Sequence, residues 1–345
     1  LEFCRYARAD VVIIGPEAPL EAGIADILRE NDMAVFGPDA DLAKIETSKS
    51  FARDFVQHVD PTVCPAYWKV TDMHEAEALL DRLGPRFVIK ADGLAGGKGV
   101  KVATDHLHSK EEALAWCGQL FSASPKPIII EEKLYGEEFS LMTVTDGTSF
   151  VHLDAVQDHK RAFDGDCGPN TGGMGSYSCS GGSLPFLADA DIATARRLNE
   201  RVVAELSRLC NRPYRGVLYG GFMAVSDGIK LIEYNARFGD PEVMNLLATL
   251  QSDALELFTA AANGNLSSYR ASIADTSSVC VYAVPMGYPG QTSPHEAFTL
   301  PPVGPEVRYH MGSVDQDPDG TLRTAGSRTI GFVGCGATLE QARRK

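Results

Sequence analysis

Apolar positions along the chain fall in short β-branched runs separated by longer stretches of helical spacing. Asp10 to Gly15 (DVVIIG) is apolar after its first residue and ends on Gly-Pro, which predicts a strand buried on both faces. A helix is expected over Glu21 to Glu30 and a second strand over Ala34 to Gly37, so this end reads as the tail of a βαβ unit in a parallel sheet. The turn Gly15-Pro16-Glu17-Ala18-Pro19 lies at the carboxyl end of a strand, where open α/β sheets take ligands, and makes Glu17 a candidate.

A second helix is predicted from about Thr47 to His58, after which Pro61 and Pro65 break the pattern. Phe87 to Ala91, Val100 to Ala103 and Pro127 to Glu132 read as strands, with helices opened at Thr71 and at the capping box Ser109-x-x-Glu112. That order predicts a small α+β lobe, about 60–135, inserted in a larger unit. Strands at Phe139 to Thr145, Phe150 to Ala155, Val217 to Val225 and Lys230 to Tyr234 share a second lobe with one long helix, Asp191 to Cys210. After Gly264 the chain is dense in Gly, Pro and Ser, with β-type runs at Val279 to Val284 and Thr329 to Val333. The expected division is a partial N-terminal parallel βαβ domain at 1–46, a two-lobed unit at 47–264, and a small, incomplete C-terminal β-rich domain at 265–345.

Composition narrows the function. A formal net charge of −14 works against a polyanionic partner, so no nucleic acid is expected, while a local basic pocket for one small phosphorylated ligand stays open. Eight scattered cysteines without a CxxC pair fit reduced thiols in a cytoplasmic protein. No apolar run approaches the roughly 18 residues of a bilayer span, so no membrane partner is expected. The chain opens on Leu1 without a charged-then-apolar leader; no signal peptide is expected, and the chain is expected to begin inside a longer protein.

Four segments carry chemistry. Val88 to Val100 (VIKADGLAGGKGV) sets Lys90 at a strand end and Gly97-Lys98 in a Gly-rich loop, two cations and free N–H groups suited to a polyphosphate. Its spacing fits neither a Walker A loop nor a dinucleotide fingerprint, and a flexible hairpin would read the same. Ile128 to Glu138 (IIIEEKLYGEE) runs from an apolar strand into acidic residues that could read an adenine edge and ribose, although a solvated acidic turn has the same pattern. In Leu231 to Glu242 (LIEYNARFGDPE), Glu233 and Asn235 share one face of a strand as hard ligands suited to Mg²⁺ on ATP phosphates. Arg237 follows, able to grip a carboxylate or a phosphoryl group; a polar cross-strand ladder is the alternative. Finally, Gln157 to Arg161 (QDHKR) and the Gly-rich loop Gly168 to Gly175 (GPNTGGMG) combine cations with glycines in a candidate phosphate or carboxylate site. His159 there is left out of the catalytic set, and the pair His106 and His108 lacks partners for a metal.

With TSKSFARDF around Lys49, these motifs in this order resemble the phosphoribosylamine–glycine ligase family, also called glycinamide ribonucleotide synthetases, among the ATP-grasp enzymes. The likeness extends from GPEAPL at Gly15 through MGYPG at Met286 to TAGSRTIGFVGCGATLEQA at Thr324. It implies an ATP-grasp fold, with the nucleotide between two α+β lobes. It also implies ATP with Mg²⁺ (or Mn²⁺), and glycine and 5-phosphoribosylamine as substrates joined through a glycyl phosphate. Neighbouring purine-pathway domains or enzymes are implied as further partners. By the resemblance Lys49, Lys90, Gly97 and Lys98 bind the phosphates, Glu131, Glu132, Lys133 and Leu134 the adenine, Glu138 the ribose, and Glu233 and Asn235 the metal. Lys98, Lys160 and Arg237 are the catalytic candidates; Glu17, Asp158, Lys160, Asn170, Thr171, Gly173, Arg237 and Asp240 are the substrate candidates. Family members begin with a strand and Gly-rich turn facing the phosphoribosyl group; this chain is expected to start after them and to stop before the final strand. Leu218 to Val225 holds no further metal carboxylate. The alternative kept open is another ATP-grasp carboxylate–amine ligase or a carboxylase.

Overall fold

The computed structural model describes residues 1–95, 99–293 and 295–345. Strands Val12–Ile13 and Val35–Phe36 pair in parallel, as the βαβ reading requires, but the first is only two residues long and not buried on both faces, since Ile13 is exposed. The helix expected over 21–30 is instead two short ones, Glu17–Glu21 and Ile24–Arg29, because Gly23 between them takes φ 77. A helix the apolar pattern does not announce, Ala40–Thr47, runs into Lys49–Val59. Ser48 separates them with extended backbone and caps the second, its Oγ accepting from the Phe51 N–H at 3.2 Å.

The small lobe is an antiparallel sheet in the order Tyr67–Val70, Ile128–Glu132, Phe87–Ala91, Val100–Val102. Helices Met73–Leu83 and Lys110–Ala123 bury Leu79, Leu80, Ala113 and Cys117 against Phe87, Ile89, Ile128 and Ile130, a core separate from the rest. Ser109 caps the second helix as predicted, whereas the first is capped by Asp72 rather than Thr71.

The larger lobe orders its antiparallel strands Gly228–Asn235, Gly216–Val225, Glu137–Thr145, Phe150–His152. Helix Asp189–Cys210 packs Leu198, Val202 and Leu206 on one face, and Ala254–Asn263 packs Leu257 and Phe258 on the other. Covered on both sides, the central strand Gly216–Val225 is apolar along most of its length.

One irregularity in this sheet shapes everything that follows. Gly221 faces Glu233 but Phe222 faces Leu231, so Ile232 is an extra residue, a β-bulge. Before it Ile229 and Leu231 enter the core; after it Tyr234 and Ala236 do. Strict alternation from Leu231 would have buried Glu233, and the bulge turns it out of the core instead.

Val307–Met311, Ile330–Gly336 and Ser277–Ala283 continue into Cys167–Ser178 and Gln157–Phe163 as one five-stranded sheet that crosses the boundary drawn at residue 264. The Gly-rich segment 168–175, expected as a loop, lies within strand Cys167–Ser178. Within it Asn170 and Gly175 pair with Gln157–Phe163, Gly175 also pairs with Ser277–Ala283, and register shifts on either side of Asn170 absorb the glycines.

Candidate active site

The Ile232 bulge presents a carbonyl to the small lobe. It accepts from Arg53 Nη2 at 2.6 Å and from Lys90 Nζ at 3.1 Å, while Leu231 O accepts from Arg53 Nη1 at 3.1 Å. The same two cations converge on Glu131, whose carboxylate takes Arg53 Nε at 2.5 Å, Arg53 Nη2 at 2.8 Å and Lys90 Nζ at 2.8 Å. All three side chains are buried. Burial alone would raise Glu131, but Arg53 and Lys90 outweigh it and hold its carboxyl at about 2. For Lys90 burial dominates and lowers the ammonium, against the pull of Glu131. Helix Lys49–Val59, the small-lobe sheet and the larger-lobe sheet are thus joined at one buried ionic node.

Glu233 sits half-buried beyond the bulge. Burial would raise its carboxyl, yet Lys160, Lys90, Lys49 and Arg237 together hold it below the ordinary carboxylate value. Four cations expected from the sequence therefore act on one carboxylate expected from it. Lys49 Nζ donates to Gly93 O at 3.0 Å, and Asp92 accepts from Lys49 N at 2.7 Å and Ser50 Oγ at 2.5 Å, so the strand end after Lys90 is anchored to the start of the helix. Lys160 is held by Glu138 at 3.0 Å with Asp158 at 3.8 Å, and these carboxylates with Glu233 outweigh burial to raise its ammonium.

Arg237 is clamped between Glu17 at 3.3 Å and Glu46 at 3.2 Å. Glu46 also accepts from Ala236 N at 2.7 Å, and burial pushes its carboxyl up to about 7 against Arg237. On the other side Phe238 packs against Phe36 and Phe258, with ring centroids 6.0 and 5.7 Å away. The arginine is fixed from both ends. Asp240 is bound by Arg328 Nη2 at 2.9 Å and by Tyr282 Oη at 2.8 Å; Arg328 Nη1 also donates to Gly172 O at 2.8 Å and Gly173 O at 3.0 Å. Gly173, at φ 110, leaves room for Pro241: a Cβ there would lie 2.6 Å from Pro241 Cδ. Thr171 Oγ1 donates to Lys160 O at 2.9 Å and accepts from Gly173 N, tying that turn to the lysine strand.

Other candidates point elsewhere. Glu132 accepts from Ala66 N at 2.8 Å, and Lys133 donates to Ala103 O, Thr104 Oγ1 and Asp105, so both side chains serve the small lobe. Leu134 is half-buried after strand Ile128–Glu132, and Asn170 is exposed opposite Arg161. Gly97 and Lys98 lie outside the described residues. Sequence reasoning did not single out Arg53, Glu46, Asp92, Tyr219, Glu242 or Arg328. Arg53 is four residues from Lys49 on one helix, and that i,i+4 spacing was its available signal.

A metal fits what is present. Glu233 is ionised, Asn235 lies on the same strand face, and among the described residues no cluster of three His, Cys, Asp or Glu forms a closed cage. Two hard oxygens with substrate phosphates completing the shell is the way Mg²⁺ is usually held.

Residues 47–243 match the family model for the phosphoribosylglycinamide synthetase ATP-grasp (A) domain, and residues 1–46 that for its N domain. The chain is 38% identical over 344 residues to the phosphoribosylamine–glycine ligase of Methanosarcina barkeri, and 40% identical over 344 residues to that of Methanocorpusculum labreanum. In each case 100% of this chain covers 78% of the relative. Among solved structures, the phosphoribosylamine–glycine ligase of Thermotoga maritima superposes with a TM-score of 0.78 at 32% identity, covering 90% of this chain and 76% of that one. Biotin carboxylase from Campylobacter jejuni, at TM-score 0.73 and 15% identity over 98% of this chain and 74% of its own, shares the fold.

Proposed function

The chain belongs to the phosphoribosylglycinamide synthetase family and is an ATP-dependent carbon–nitrogen ligase of purine biosynthesis, and from that premise we propose a route and a division of labour for its residues. Glycine is activated by ATP as glycyl phosphate, and 5-phosphoribosylamine displaces phosphate to give glycinamide ribonucleotide and ADP, in the cytoplasm. The observation that supports it is that Lys49, Lys90, Lys160 and Arg237 act together on Glu233 strongly enough to outweigh its burial.

Cations set at one point in advance stabilise charge spreading over a transferring phosphoryl group without reorganising for it. Lys90, held by Glu131 and the Ile232 carbonyl, and Lys49, beside Gly93, receive the phosphates. Mg²⁺ held by Glu233 and Asn235 would neutralise further phosphate charge. Arg237 orients the glycine carboxylate, Asp158 faces the amine side, and the turn 171–173 with Asp240 positions the second substrate. Free thiols at all eight cysteines suit a reducing compartment.

Phosphate release tests the reading: it should require glycine and phosphoribosylamine together with ATP and a divalent ion. Release driven equally by bicarbonate would move the chain to a carboxylase.

A further inference from the structure

Behind Asp158 lies a second carboxylate that the route above does not use. Glu242, the first residue of helix Glu242–Thr249, is 3% exposed and accepts from Tyr219 Oη at 3.0 Å. The backbone makes space for it: a Cβ on Gly239 would come within 2.6 Å of Glu242 Oε2. One turn along the helix, Asn245 Nδ2 donates to Ser176 O at 3.3 Å and to Ser278 Oγ at 2.8 Å, and Ser176 is the cross-strand partner of Asp158. Residues three apart share a helix face, so Glu242 lies on the face that packs on strand Cys167–Ser178, on the side of the sheet where Ser176 pairs with Asp158. The charges of Lys160 and Asp158 reach it from that hairpin, Tyr219 bonds it from the central strand, Cys280 lies near it on strand Ser277–Ala283, and Asp240 with Arg328 lies at the turn before it.

We propose that Asp158 and Glu242 form a proton relay for amide formation, with Glu242 as the positioning residue that draws the amine's proton on from Asp158. The inference rests on the glycyl phosphate route above. As the amine nitrogen attacks the acyl carbon, the C–N bond forms and the C–O bond to phosphate breaks, its electron pair leaving with the phosphate. The proton lost from nitrogen goes to Asp158 and from there to the Glu242 carboxylate. Burial first, and the neighbouring Asp158 second, raise Glu242 to about 7, while Lys160 and Tyr219 pull the other way. A carboxylate in that range can take up and return a proton near neutral pH.

The relay needs Glu242 ionised, so kcat/KM for phosphoribosylamine in the full chain should rise with pH through an inflection near 7. Glu242→Gln keeps an acceptor for Tyr219 but cannot take a proton; it should lose the inflection and about 10²-fold in kcat/KM. Tyr219→Phe removes the donor that favours the ionised carboxylate, so the inflection should move to higher pH; this variant carries the test if Glu242→Gln does not fold. A second arm replaces phosphoribosylamine with hydroxylamine on the wild-type enzyme. Absence of glycine hydroxamate overturns the glycyl phosphate route and the relay with it. Hydroxamate formation combined with an inflection that neither variant moves overturns the relay alone.

Discussion

Glu131→Gln asks whether Glu131 is the internal anion that joins the lobes. The variant keeps the side chain's size and leaves Arg53 and Lys90, both buried, with a single amide oxygen between them. Two routes give the magnitude. Glu131 titrates at about 2 instead of its ordinary 4.5, a gap worth about 3 kcal/mol. Independently, removing one partner of a buried ion pair costs about 3–5 kcal/mol. A loss near 3 kcal/mol corresponds to roughly 4 °C in Tm for a chain of this size. Because the folded value lies below the unfolded one, the contribution is complete above about 4.5 and is lost as pH falls through about 2. Urea unfolding of both proteins at neutral pH and at stepwise lower pH reads it. The difference should be level at neutral pH and shrink once pH drops below the ordinary carboxylate value. A neutral-pH difference under about 1 kcal/mol, the size of an exposed pair, or one that ignores acidification, refutes the assignment.

Glu233→Gln should lower ATP turnover with glycine and phosphoribosylamine by roughly 10²–10³-fold and leave nucleotide affinity without divalent ion little changed; wild-type turnover would remove Glu233 from the site. Gly173→Ala sets a Cβ against Pro241 at a positive-φ position, so it should cost about 1–3 kcal/mol in thermal unfolding and raise a substrate KM by displacing Asp240. An unchanged melting curve would show that the turn yields freely.

The strands were largely legible because their apolar runs are bounded by Gly and Pro, as at Asp10 to Gly15 and Phe87 to Ala91. The bulge was not. Nothing in LIEYN marks Ile232 as the extra residue; that depends on the register against Gly221 and Phe222, ten residues back along the chain. The Gly-rich stretch 168–175 misled in the opposite sense: its composition describes a loop, yet Asn170 and Gly175 pair with strand Gln157–Phe163 and Gly175 also pairs with Ser277–Ala283, which holds the stretch in the sheet. Among side chains, Lys90, Lys160 and Arg237 were found because cations in or near Gly-containing motifs attract notice, and Lys49 through the family resemblance of TSKSFARDF. Their internal partners were missed: Arg53 meets Glu131 across 78 positions and Glu46 meets Ala236 across 190, separations that no local pattern encodes.

If the cations near Glu233 receive the phosphates as proposed, those partners also explain how a chain of net charge −14 assembles a site for a polyanion. Each cation near Glu233 already has an oxygen partner: Lys90 with Glu131, Arg237 with Glu17 and Glu46, Lys160 with Glu138, and Lys49 with the Gly93 carbonyl. Pairing keeps four cations close together when their mutual repulsion would otherwise spread them, and it fixes their head groups before a phosphate arrives. The surplus of acid is therefore compatible with phosphate chemistry, because part of it is spent internally on placing the cations. On that assignment an incoming phosphate meets the local field of those cations, set by neighbours a few ångströms away and less screened where buried.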